Sequence, residues 1–370
     1  MFRLAIANLV QNKTRLVVSA GGVGLALALV LFFSAIFTGA EARLTVYVDN
    51  AGADVWVSQE GVRTMHMSES ALPMSVVDEV RAVPGVADAV PILFTSDILD
   101  ANGNETISYV FGVPKDATMG TPWRVVEGAS EPGPGEIIID HAIAQQMGVG
   151  VGDEVQAVGQ QMRIAGLTSG TSSVASAVSF IRFEDFANQR GGGSVISFVL
   201  VRIAAGESAQ AVSDQIAEEV DGVTVQTKEQ FASNERALIK DMSADLISII
   251  NTAGYVTGLA VIVLTIYIAT VARRREYGVL KAMGVRNSRL FQIVVVQALV
   301  TVGLGLVAGL GITLLLSIVI PRFNELIVLS ISARSLVEVA AVSALLGGIA
   351  ALLPARQLAG LEPVTILRRG

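Results

Sequence analysis

The sequence predicts an α-helical membrane protein with four transmembrane helices and an α+β extracytoplasmic domain. Three observations predict this fold class. The 370 residues are 52% hydrophobic and have a mean hydropathy of +0.60, which is typical of membrane proteins. Several apolar runs exceed the roughly 20 residues that cross a hydrocarbon core about 30 Å thick. A hydrophilic segment, residues 41–245, follows the first run and carries 29 Asp and Glu against 12 Lys and Arg.

Four apolar runs are predicted to cross the membrane, at about residues 16–38, 246–272, 290–318 and 335–354. The first three contain no Asp, Glu, Lys or Arg, and the fourth is interrupted only by Glu338. The first run also has features of a signal peptide, because Lys13 and Arg15 precede it and Ala40-Glu41-Ala42 follows it. It is longer than the roughly 7–15 residues of a typical signal-peptide core, so an uncleaved helix is predicted.

The distribution of cations predicts the orientation in the membrane. The N-terminal tail, residues 273–289 and the tail after Pro354 together hold 12 Lys and Arg, and their acids are Glu276 and Glu362. Short loops rich in Lys and Arg stay in the cytoplasm. Both termini are therefore predicted to be cytoplasmic, with an amphipathic helix at residues 1–15 and a tail at residues 355–370. Residues 39–245 and a short loop at residues 319–334 then lie outside.

The outer segment, residues 39–245, is predicted to contain a duplicated β-α-β unit. One copy lies at about residues 53–104, with a strand at Ala53–Val57, a helix at Ser75–Val83 and a strand at Val86–Leu93. The other lies at about residues 194–227, with a strand at Ser194–Ile203, a helix at Ser208–Val220 and a strand at Val223–Thr227. VVDEVRAVPGVADAV and VSDQIAEEVDGVTVQ share the order helix, turn, Gly-Val and strand, which indicates an internal duplication.

A small β-rich insert is predicted between the two copies, at about residues 105–190. Its short strands lie at Thr106–Val113, Glu136–Asp140, Val155–Val158, Met162–Leu167 and Ala177–Ile181, with a short helix in HAIAQQMG. After the second copy, residues 228–245 predict a charged stalk helix that begins at a capping box of Thr227 and Gln230. Neither Gly nor Pro interrupts this helix before Gly254. We therefore expect it to run into the second membrane span and to carry motion between the membrane and the outer domain.

The sequence lacks the motifs of catalysis and of nucleotide binding. It contains no cysteine, its two histidines His66 and His141 have no HExxH-type partner, and no Gly-Lys dipeptide forms a P-loop. We therefore predict a non-catalytic chain with no metal site and no cofactor of its own. Met65-His66-Met67 carries ligand types that suit copper(I) or haem iron, but a surface loop or a packing role is the expected explanation of a single triplet.

Two acidic residues and several glycines lie at or within the predicted spans. Asp245 and Glu338 fall within about one turn of the outer boundary, where they either reach headgroups and water or contact substrate at a lateral gate. Small residues predict close helix packing at Gly21, Gly22, Gly24 and Ala28, and at Gly305 and Gly309 in a G-x-x-x-G pattern. This pattern does not distinguish contacts within one chain from contacts between two chains.

The basic segment VARRREYGVLKAMGVRNSRL, residues 271–290, has three interpretations. A nucleic-acid patch would need a folded reader module, which a short loop between two membrane helices does not provide. A topology signal that contacts anionic lipid explains the cations alone. A docking element would be a short amphipathic helix whose Val279, Leu280 and Met283 face a partner or the bilayer, while its cations meet an acidic cytosolic subunit.

Three motifs and the outer domain together resemble one family. RRREYGVLKAMGVRNSRLF has the order R-x-x-E-[IY]-G-x-L-x-A-x-G, and LAIANLVQNKTRLVVSAGGVGLA places Asn8, Asn12, Lys13 and Arg15 before the first span. LLPARQLAGLEPVTILR supplies a C-terminal motif at Pro354, Ala355, Arg356, Pro363, Leu367 and Arg368. With the insert GEIIIDHAIAQQMGVGVGDEVQAVGQQMRIAGL and the duplicated units, which are similar to a porter subdomain, the chain resembles the MacB/FtsX-type (type VII, mechanotransmission) ABC transporter permeases. DNAGADVWVSQEG is similar to the DevC-like branch.

The resemblance implies a permease that binds two copies of a separate cytosolic ABC ATPase, which holds ATP and Mg. MacB carries a fused ATPase domain that this sequence lacks, so a separate subunit is expected. The resemblance assigns the coupling helix to Arg273, Arg274, Arg275, Glu276, Tyr277, Gly278, Leu280, Lys281, Ala282 and Gly284. It further implies a second permease copy, expected as a homodimer, an extracytoplasmic adaptor in some members, and a multi-pass location in the bacterial cytoplasmic membrane. The expected cargo is hydrophobic or lipid-like, of the lipid, haem, drug or peptide class.

Two alternatives remain at the level of the sequence. An FtsX-like signalling subunit that activates a cell-wall hydrolase would not need the β-rich insert. The other alternative, from a different class, is a membrane-anchored sensor or structural protein that never engages an ATPase. A neighbouring reading frame with a Walker A motif would separate both alternatives from an exporter permease.

Overall fold

The computed structural model describes residues 13–66, 68–171, 177–272, 274–323 and 327–352. These residues form two compact units. A helical unit comprises the described parts of residues 1–39, 243–323 and 329–370, and it contains the predicted membrane spans. An outer unit comprises residues 40–242, apart from the gaps given above, together with the described part of residues 324–328, and it contains the predicted extracytoplasmic domain.

The described helices are α1 (Lys13–Leu44), α2 (Val46–Asn50), α3 (Ser75–Ala82), α4 (His141–Met147), α5 (Phe183–Gln189), α6 (Ala209–Glu219), α7 (Lys228–Ala272), α8 (Arg274–Ala282), α9 (Asn287–Phe323) and α10 (Ala333–Ala350). The described strands are β1 (Val55–Gln59), β2 (Leu72–Pro73), β3 (Val86–Ala101), β4 (Asn104–Val113), β5 (Val125–Gly128), β6 (Glu136–Asp140), β7 (Glu154–Ala157), β8 (Gln160–Thr168), β9 (Ala177–Arg182), β10 (Val195–Ile196), β11 (Phe198–Ile203) and β12 (Val223–Thr227). The sequence did not predict α2, α5, β2 and β5.

Three described helical stretches are long and apolar enough to cross a membrane: Ala20–Glu41 in α1, all of α9 and all of α10. The second predicted span, residues 246–272, lies within α7, where the described apolar stretch Ser248–Leu264 is shorter. The count of four spans therefore stays a prediction. Helix α7 itself is 45 residues long and continuous from Lys228 to Ala272, so the predicted stalk does run into the second predicted span.

Helices α1 and α9 approach so closely that their backbones touch at glycines. A Cβ atom built on Gly309 would lie 2.9 Å from the Gly24 carbonyl oxygen and 3.0 Å from the Ala28 nitrogen. A Cβ atom on Gly24 would lie 3.2 Å from the Gly305 carbonyl oxygen. The Thr313 hydroxyl also donates to the Ala28 carbonyl at 3.4 Å. The predicted small-residue faces of α1 and α9 therefore meet each other within one chain.

Two further glycine contacts tie the helical unit together. An added Cβ on Gly22 would lie 3.0 Å from Val261 of α7, and one on Gly347 of α10 would lie 2.9 Å from Val302 of α9. The sequence also predicted close packing at Gly21, either within this chain or against a second chain. No described atom lies within 4 Å of a Cβ built on Gly21, so the described chain offers it no packing partner.

The outer unit is built on a ten-stranded sheet in which the two β-α-β units interleave. The strand order is β12-β1-β11-β3-β4-β9-β6-β8-β5, with β7 beside β3 and β8. Strands β1 and β3 of the first unit flank β11, and strands β11 and β12 of the second unit flank β1. These neighbours pair antiparallel, as in a split β-α-β arrangement. Each β-α-β unit therefore has a strand of the other β-α-β unit between its own two strands.

The predicted insert is a continuation of this sheet. Strand β3 is 16 residues long and pairs with β11 through Val86–Ile92 and with β4 through Leu93–Ala101. Strands β4 and β9 then pair in parallel, as do β6 and β8. The turn between β3 and β4 is Asn102-Gly103, where both residues have positive φ, the requirement of a tight two-residue hairpin.

Two hydrophobic clusters cover the faces of the β1 region. Because successive strand residues point to opposite faces, Val55 and Val57 enter an aliphatic cluster while Trp56 enters an aromatic one. The aromatic cluster contains Tyr47, Trp56, Phe111, Phe180, Phe198 and Phe231. Trp56 is fully buried and stacks on Phe231 of α7, with ring centroids 4.7 Å apart. This contact attaches the first turns of the stalk helix to the sheet.

The predicted capping box is present at the start of α7. The Gln230 backbone N–H donates to the Thr227 hydroxyl at 3.2 Å, and the Thr227 backbone N–H donates to the Gln230 side-chain oxygen at 3.0 Å. Two N–H groups that the helix itself leaves unpaired are therefore satisfied reciprocally.

Replacing Thr227 by alanine should lower the free energy of unfolding of the outer unit by about 1 kcal/mol, because the first turn of α7 loses its cap. Denaturant unfolding followed by tryptophan fluorescence measures this loss, since both tryptophans, Trp56 and Trp123, lie in the outer unit. Thr227→Ser keeps the hydroxyl acceptor and is the matched control, with little change expected. Equal losses in the two variants would contradict the capping role.

Candidate functional site

The loop between the second and third predicted spans contains helix α8 and a sharp turn after it. Met283 N–H donates to the Val279 carbonyl and Gly284 N–H donates to the Lys281 carbonyl, each at 3.0 Å. Gly284 has a φ of +87°, a left-handed conformation that glycine adopts readily at helix ends. The chain then enters α9 at Asn287. The docking interpretation expected a short helix here, and the backbone of Arg274–Ala282 forms one.

One side of α8 is packed into the helical unit. Tyr277 is 3% exposed and belongs to the same core cluster as Leu290, Ile293 and Val294 of α9. Gly278 is also buried, and Val285 packs against the cluster from the turn. Tyr277 and Gly278, which the sequence places in the coupling motif, therefore hold the segment in position from inside the chain.

The other side of α8 and the turn after it form an exposed surface. Its apolar members are Val279, which is 42% exposed, and Met283, which is 68% exposed. Ala282 and Gly284 are exposed between and beside them, and the exposed cations Arg286 and Arg289 follow. We call this set the docking surface: Val279, Ala282, Met283, Gly284, Arg286 and Arg289. Lys281 is half-buried at its edge.

Several predicted site residues cannot be placed in this geometry. Arg273, Met67 and the C-terminal motif at Pro354, Ala355, Arg356, Pro363 and Arg368 lie outside the described residues. For Arg274, Arg275, Glu276 and Leu280 the structure provides a helical backbone. Among the residues that it does place, Tyr277 and Gly278 are brought to the inner side of α8, and Ala282 and Gly284 to the docking surface.

The two acidic residues near the outer boundary are both exposed side chains. Asp245 lies on α7, and Glu338 lies on α10. Glu338 is close enough to Tyr255 of α7 for the two side chains to interact electrostatically. The structure therefore leaves both carboxylates on the exposed surfaces of their helices.

A buried acid–base pair lies in the outer unit, where the sequence showed only a Met-His-Met triplet. Glu235 of α7 is 1% exposed. One of its carboxylate oxygens accepts the Met65 backbone N–H, and the other meets His66 Nδ1. The His66 ring stands edge-on to Tyr109, with centroids 4.7 Å apart. The described residues contain no group of three or more His, Cys, Asp or Glu suited to a metal ion.

Sequence reasoning missed Glu235 because it treated the start of the stalk as a uniformly charged helix. The signal that could have identified Glu235 is its spacing from the apolar residues that precede it. Phe231, Ala232 and Glu235 follow the i, i+1, i+4 pattern of one helix face, and all three are buried. An acid on the apolar face of an otherwise solvated helix requires a buried partner, and the partner is the segment Met65–His66.

Burial in the outer unit alters two tyrosines. The pKa of Tyr47 is raised by burial alone, in a site where its ring stacks on Phe111 with centroids 3.5 Å apart. The pKa of Tyr109 is raised first by burial and then by the nearby negative charge of Glu235. Both shifts favour the neutral phenol, because a phenolate would lose hydration and, at Tyr109, would also face a like charge.

Alkaline titration should therefore show late ionisation of Tyr47 and Tyr109. Above about pH 10, the usual tyrosine pKa, the folded outer unit keeps protons that the unfolded chain releases. The contribution of these tyrosines to the free energy of unfolding should be fully present below about pH 10 and should decrease as the pH rises above that value. Tyrosinate absorbance measures this, with Tyr109→Phe removing one late component and Glu235→Gln moving the Tyr109 titration to lower pH. A native spectrum that titrates identically to the denatured chain would contradict both shifts.

Models of two protein families match this chain, one over its first part and one over its last part. The model of the MacB-like periplasmic core domain matches residues 16–219, which is more than half of the chain. The model of the FtsX-like permease C-terminal region matches residues 248–363, which include α8 and the docking surface.

Individual relatives match over most of the chain. An uncharacterized ABC transporter permease of Mycobacterium tuberculosis is 23% identical over 370 residues, which cover 98% of each chain. A probable syringafactin export ATP-binding/permease protein of Pseudomonas syringae pv. tomato is 23% identical and covers all of this chain, which spans 58% of that relative's length. The solved periplasmic region of MacB from Actinobacillus actinomycetemcomitans aligns with 52% of this chain and 97% of its own, at 13% identity and a TM-score of 0.40.

Proposed function

Because the chain belongs to the family of MacB-like, FtsX-like ABC transporter permeases, we propose that it is the permease subunit of an ATP-driven exporter. It is a membrane-integral protein, as its apolar helices indicate. In this proposal four helices cross a bacterial cytoplasmic membrane with both termini inside. The chain is not catalytic; a separate ATPase binds ATP and Mg, and the permease couples hydrolysis to motion of its extracytoplasmic domain.

The observation that carries the proposal is the docking surface. Val279 of α8 and Met283, in the turn directly after α8, both expose apolar area, and exposed apolar patches mark interaction sites. Tyr277 anchors the other side of the same helix in the helical unit, so a force applied to the surface reaches the bundle. Arg286 and Arg289 suit an acidic surface on the partner. A segment that served only as a topology signal would need its cations but not the exposed apolar residues Val279 and Met283.

Helix α7 supplies the path from the membrane to the outer domain. Its first turns are packed in the outer unit through Phe231 and Glu235, and its later residues are packed in the helical unit through Ile262. The helix is continuous between them. A continuous helix resists bending, so displacement of its membrane part would be transmitted to the sheet that Phe231 contacts.

The partners and the cargo follow from the family. We propose two copies of a cytosolic ABC ATPase, a second copy of this permease, contacts with membrane lipid and, outside, an adaptor protein. Relatives named for macrolide export and for syringafactin export support export as the activity. Hydrophobic or lipid-like cargo, of the lipid, haem, drug or peptide class, suits motion of an outer domain rather than a polar channel. Asp245 and Glu338, both exposed, are proposed as contacts for that cargo or its gate.

Reconstitution tests the proposal. The permease should be purified with the ABC ATPase encoded beside it and placed in lipid vesicles, and ATP hydrolysis should be compared with that of the ATPase alone. We expect copurification and a higher hydrolysis rate in the complex, raised further by the correct cargo. An ATPase that neither copurifies nor changes its rate would overturn the proposal and favour a sensor that works without an ATPase.

A further inference from the structure

A polar cavity of about 320 Å³ lies in the outer unit next to the Glu235–His66 pair. The lining residues that matter here are His66, Ser68, Glu69, Phe94, Ser96 and Arg190. Its volume lies at the lower end of the range for small-molecule sites, which is roughly 300–1,000 Å³. The cavity therefore has room for a small organic molecule or a small anion.

His66 is held in one orientation by the chain. Its Nδ1 faces one oxygen of Glu235, and the second oxygen of Glu235 is occupied by the Met65 backbone N–H. The imidazole side chain is 7% exposed, and its remaining polar atom is Nε2. A carboxylate behind an imidazole fixes the ring so that the opposite nitrogen is presented to a ligand. His66 is one of the residues that line the cavity, so its ring is available to a ligand there.

Arg190 supplies the positive charge of the cavity wall. One of its guanidinium nitrogens donates to the Phe94 carbonyl at 3.2 Å, and the guanidinium lies 5.1 Å from the centre of the Phe186 ring. These two contacts position the side chain but use only one of its five N–H donors. The remaining donors suit the paired oxygens of a carboxylate or a phosphate. Ser68 and Ser96 add hydroxyl groups to the same wall.

Apolar and acidic groups limit what fits. Phe94 provides an aromatic surface beside Arg190, which suits a ligand with a short apolar body. Glu69 is exposed, and as an acid it disfavours a ligand that carries more negative charge than Arg190 neutralises. A singly charged small acid therefore fits better than a polyanion.

We propose that this cavity is a binding site for a small organic acid or phosphate, held by Arg190 and by the His66 ring that Glu235 orients. The site lies within the outer unit and does not depend on the proposed export function. Glu235 is a residue of helix α7, so the ring position that the ligand requires is tied to the stalk.

Binding to the purified full-length protein in detergent tests this site. The probes are benzoate, inorganic phosphate and the neutral analogue benzamide, each titrated calorimetrically at millimolar concentrations. We expect benzoate or phosphate to bind and benzamide not to bind. Binding of benzoate alone identifies a carboxylate site and binding of phosphate alone a phosphate site. Failure of both anions to bind overturns the proposal.

Variants separate this site from general attraction to a basic surface. Arg190→Gln should weaken binding by roughly tenfold or more, the usual effect of losing a charged hydrogen bond. Arg202→Gln is the matched control, because Arg202 is also an arginine of the outer unit that donates to a backbone carbonyl, that of Thr118 at 2.8 Å. It does not line the cavity, so unchanged binding is expected. Equal affinities of the two variants would refute the site.

A second pair of variants tests the remaining groups. His66→Gln should also weaken binding, and Glu69→Gln should leave it unchanged or strengthen it, because one acid is removed from the wall. Arg190 and Glu69 are exposed side chains, so their replacement spares the core even if the His66 variant unfolds. Weaker binding of the anionic probes to Glu69→Gln would mean that Glu69 itself holds the ligand, and it would overturn the proposal.

Discussion

Replacing Val279 and Met283 together by aspartate should abolish stimulation of the partner ATPase while the protein still folds and inserts. Both side chains are exposed, so the double variant leaves the core around Tyr277 intact. In the docked complex each new carboxylate would be removed from water without a partner, at a cost of several kcal/mol. Each 1.4 kcal/mol is a tenfold change in affinity, so a loss of about 3 kcal/mol weakens docking by more than a hundredfold.

The measurement is ATP hydrolysis by the reconstituted complex, together with copurification of the ATPase. Ser288→Asp is the control, because Ser288 is an exposed residue of the same segment and receives one carboxylate, where the double variant receives two, without loss of an apolar side chain. We expect this control to retain most of the stimulation. If the double variant stimulates hydrolysis like the unaltered protein, the docking surface is wrong. If Ser288→Asp is equally inactive, charge rather than apolar contact decides docking.

Leucine at Gly309 should produce the largest loss of stability in the helical unit that a single exchange is expected to cause here. A Cβ at this position lies within 3.0 Å of two backbone atoms of α1, the Gly24 oxygen and the Ala28 nitrogen. Backbone atoms cannot rotate away as a side-chain end can, so α1 and α9 would have to separate. Overpacking of this kind costs roughly 1–3 kcal/mol, and the lost contacts around Val23 and Thr313 add to it.

Gly303→Leu provides a matched control on the same helix. No described atom lies within 4 Å of a Cβ built on Gly303. Both exchanges replace Gly by Leu within α9 and gain the same helix propensity, about 1 kcal/mol, so their difference reports packing alone. Unfolding in SDS followed by circular dichroism should show Gly309→Leu at least about 2 kcal/mol less stable than Gly303→Leu. Equal stability of the two variants would mean that α1 and α9 do not touch at this glycine.

Local elements were largely predictable because their signals are local. Strand β6 begins and ends at Glu136 and Asp140, as the turn residues around this short apolar run predicted, and the capping box of Thr227 and Gln230 makes both of its expected hydrogen bonds. A capping residue and its partner are only three positions apart, so the sequence holds all the information that the interaction needs. Helix α2 escaped prediction because five residues cannot establish a period.

The docking surface was only partly predictable. The pattern of Arg, Glu, Gly and Leu located the segment, and the apolar residues Val279 and Met283 were expected on an exposed face. The sequence did not show which residues of the motif would be buried and which would be exposed. Tyr277 is the largest apolar group of α8 that the structure places, and its burial depends on Leu290 and Ile293, which follow the turn at Gly284. A residue's exposure is decided by what the chain folds against it, and in α8 that neighbour is the next helix.

The sequence by itself determined the membrane class, the kinds of elements and the segment that carries the docking surface, because hydropathy, hydrophobic period and short motifs are properties of consecutive residues. Only the tertiary structure decided which glycines meet, how the two β-α-β units exchange their middle strands, and that Glu235 lies behind His66. These contacts join residues far apart in the chain, such as His66 and Glu235 or Gly24 and Gly309. Their partners are selected by packing and by backbone hydrogen bonding over the whole unit, so no local pattern of residues specifies them.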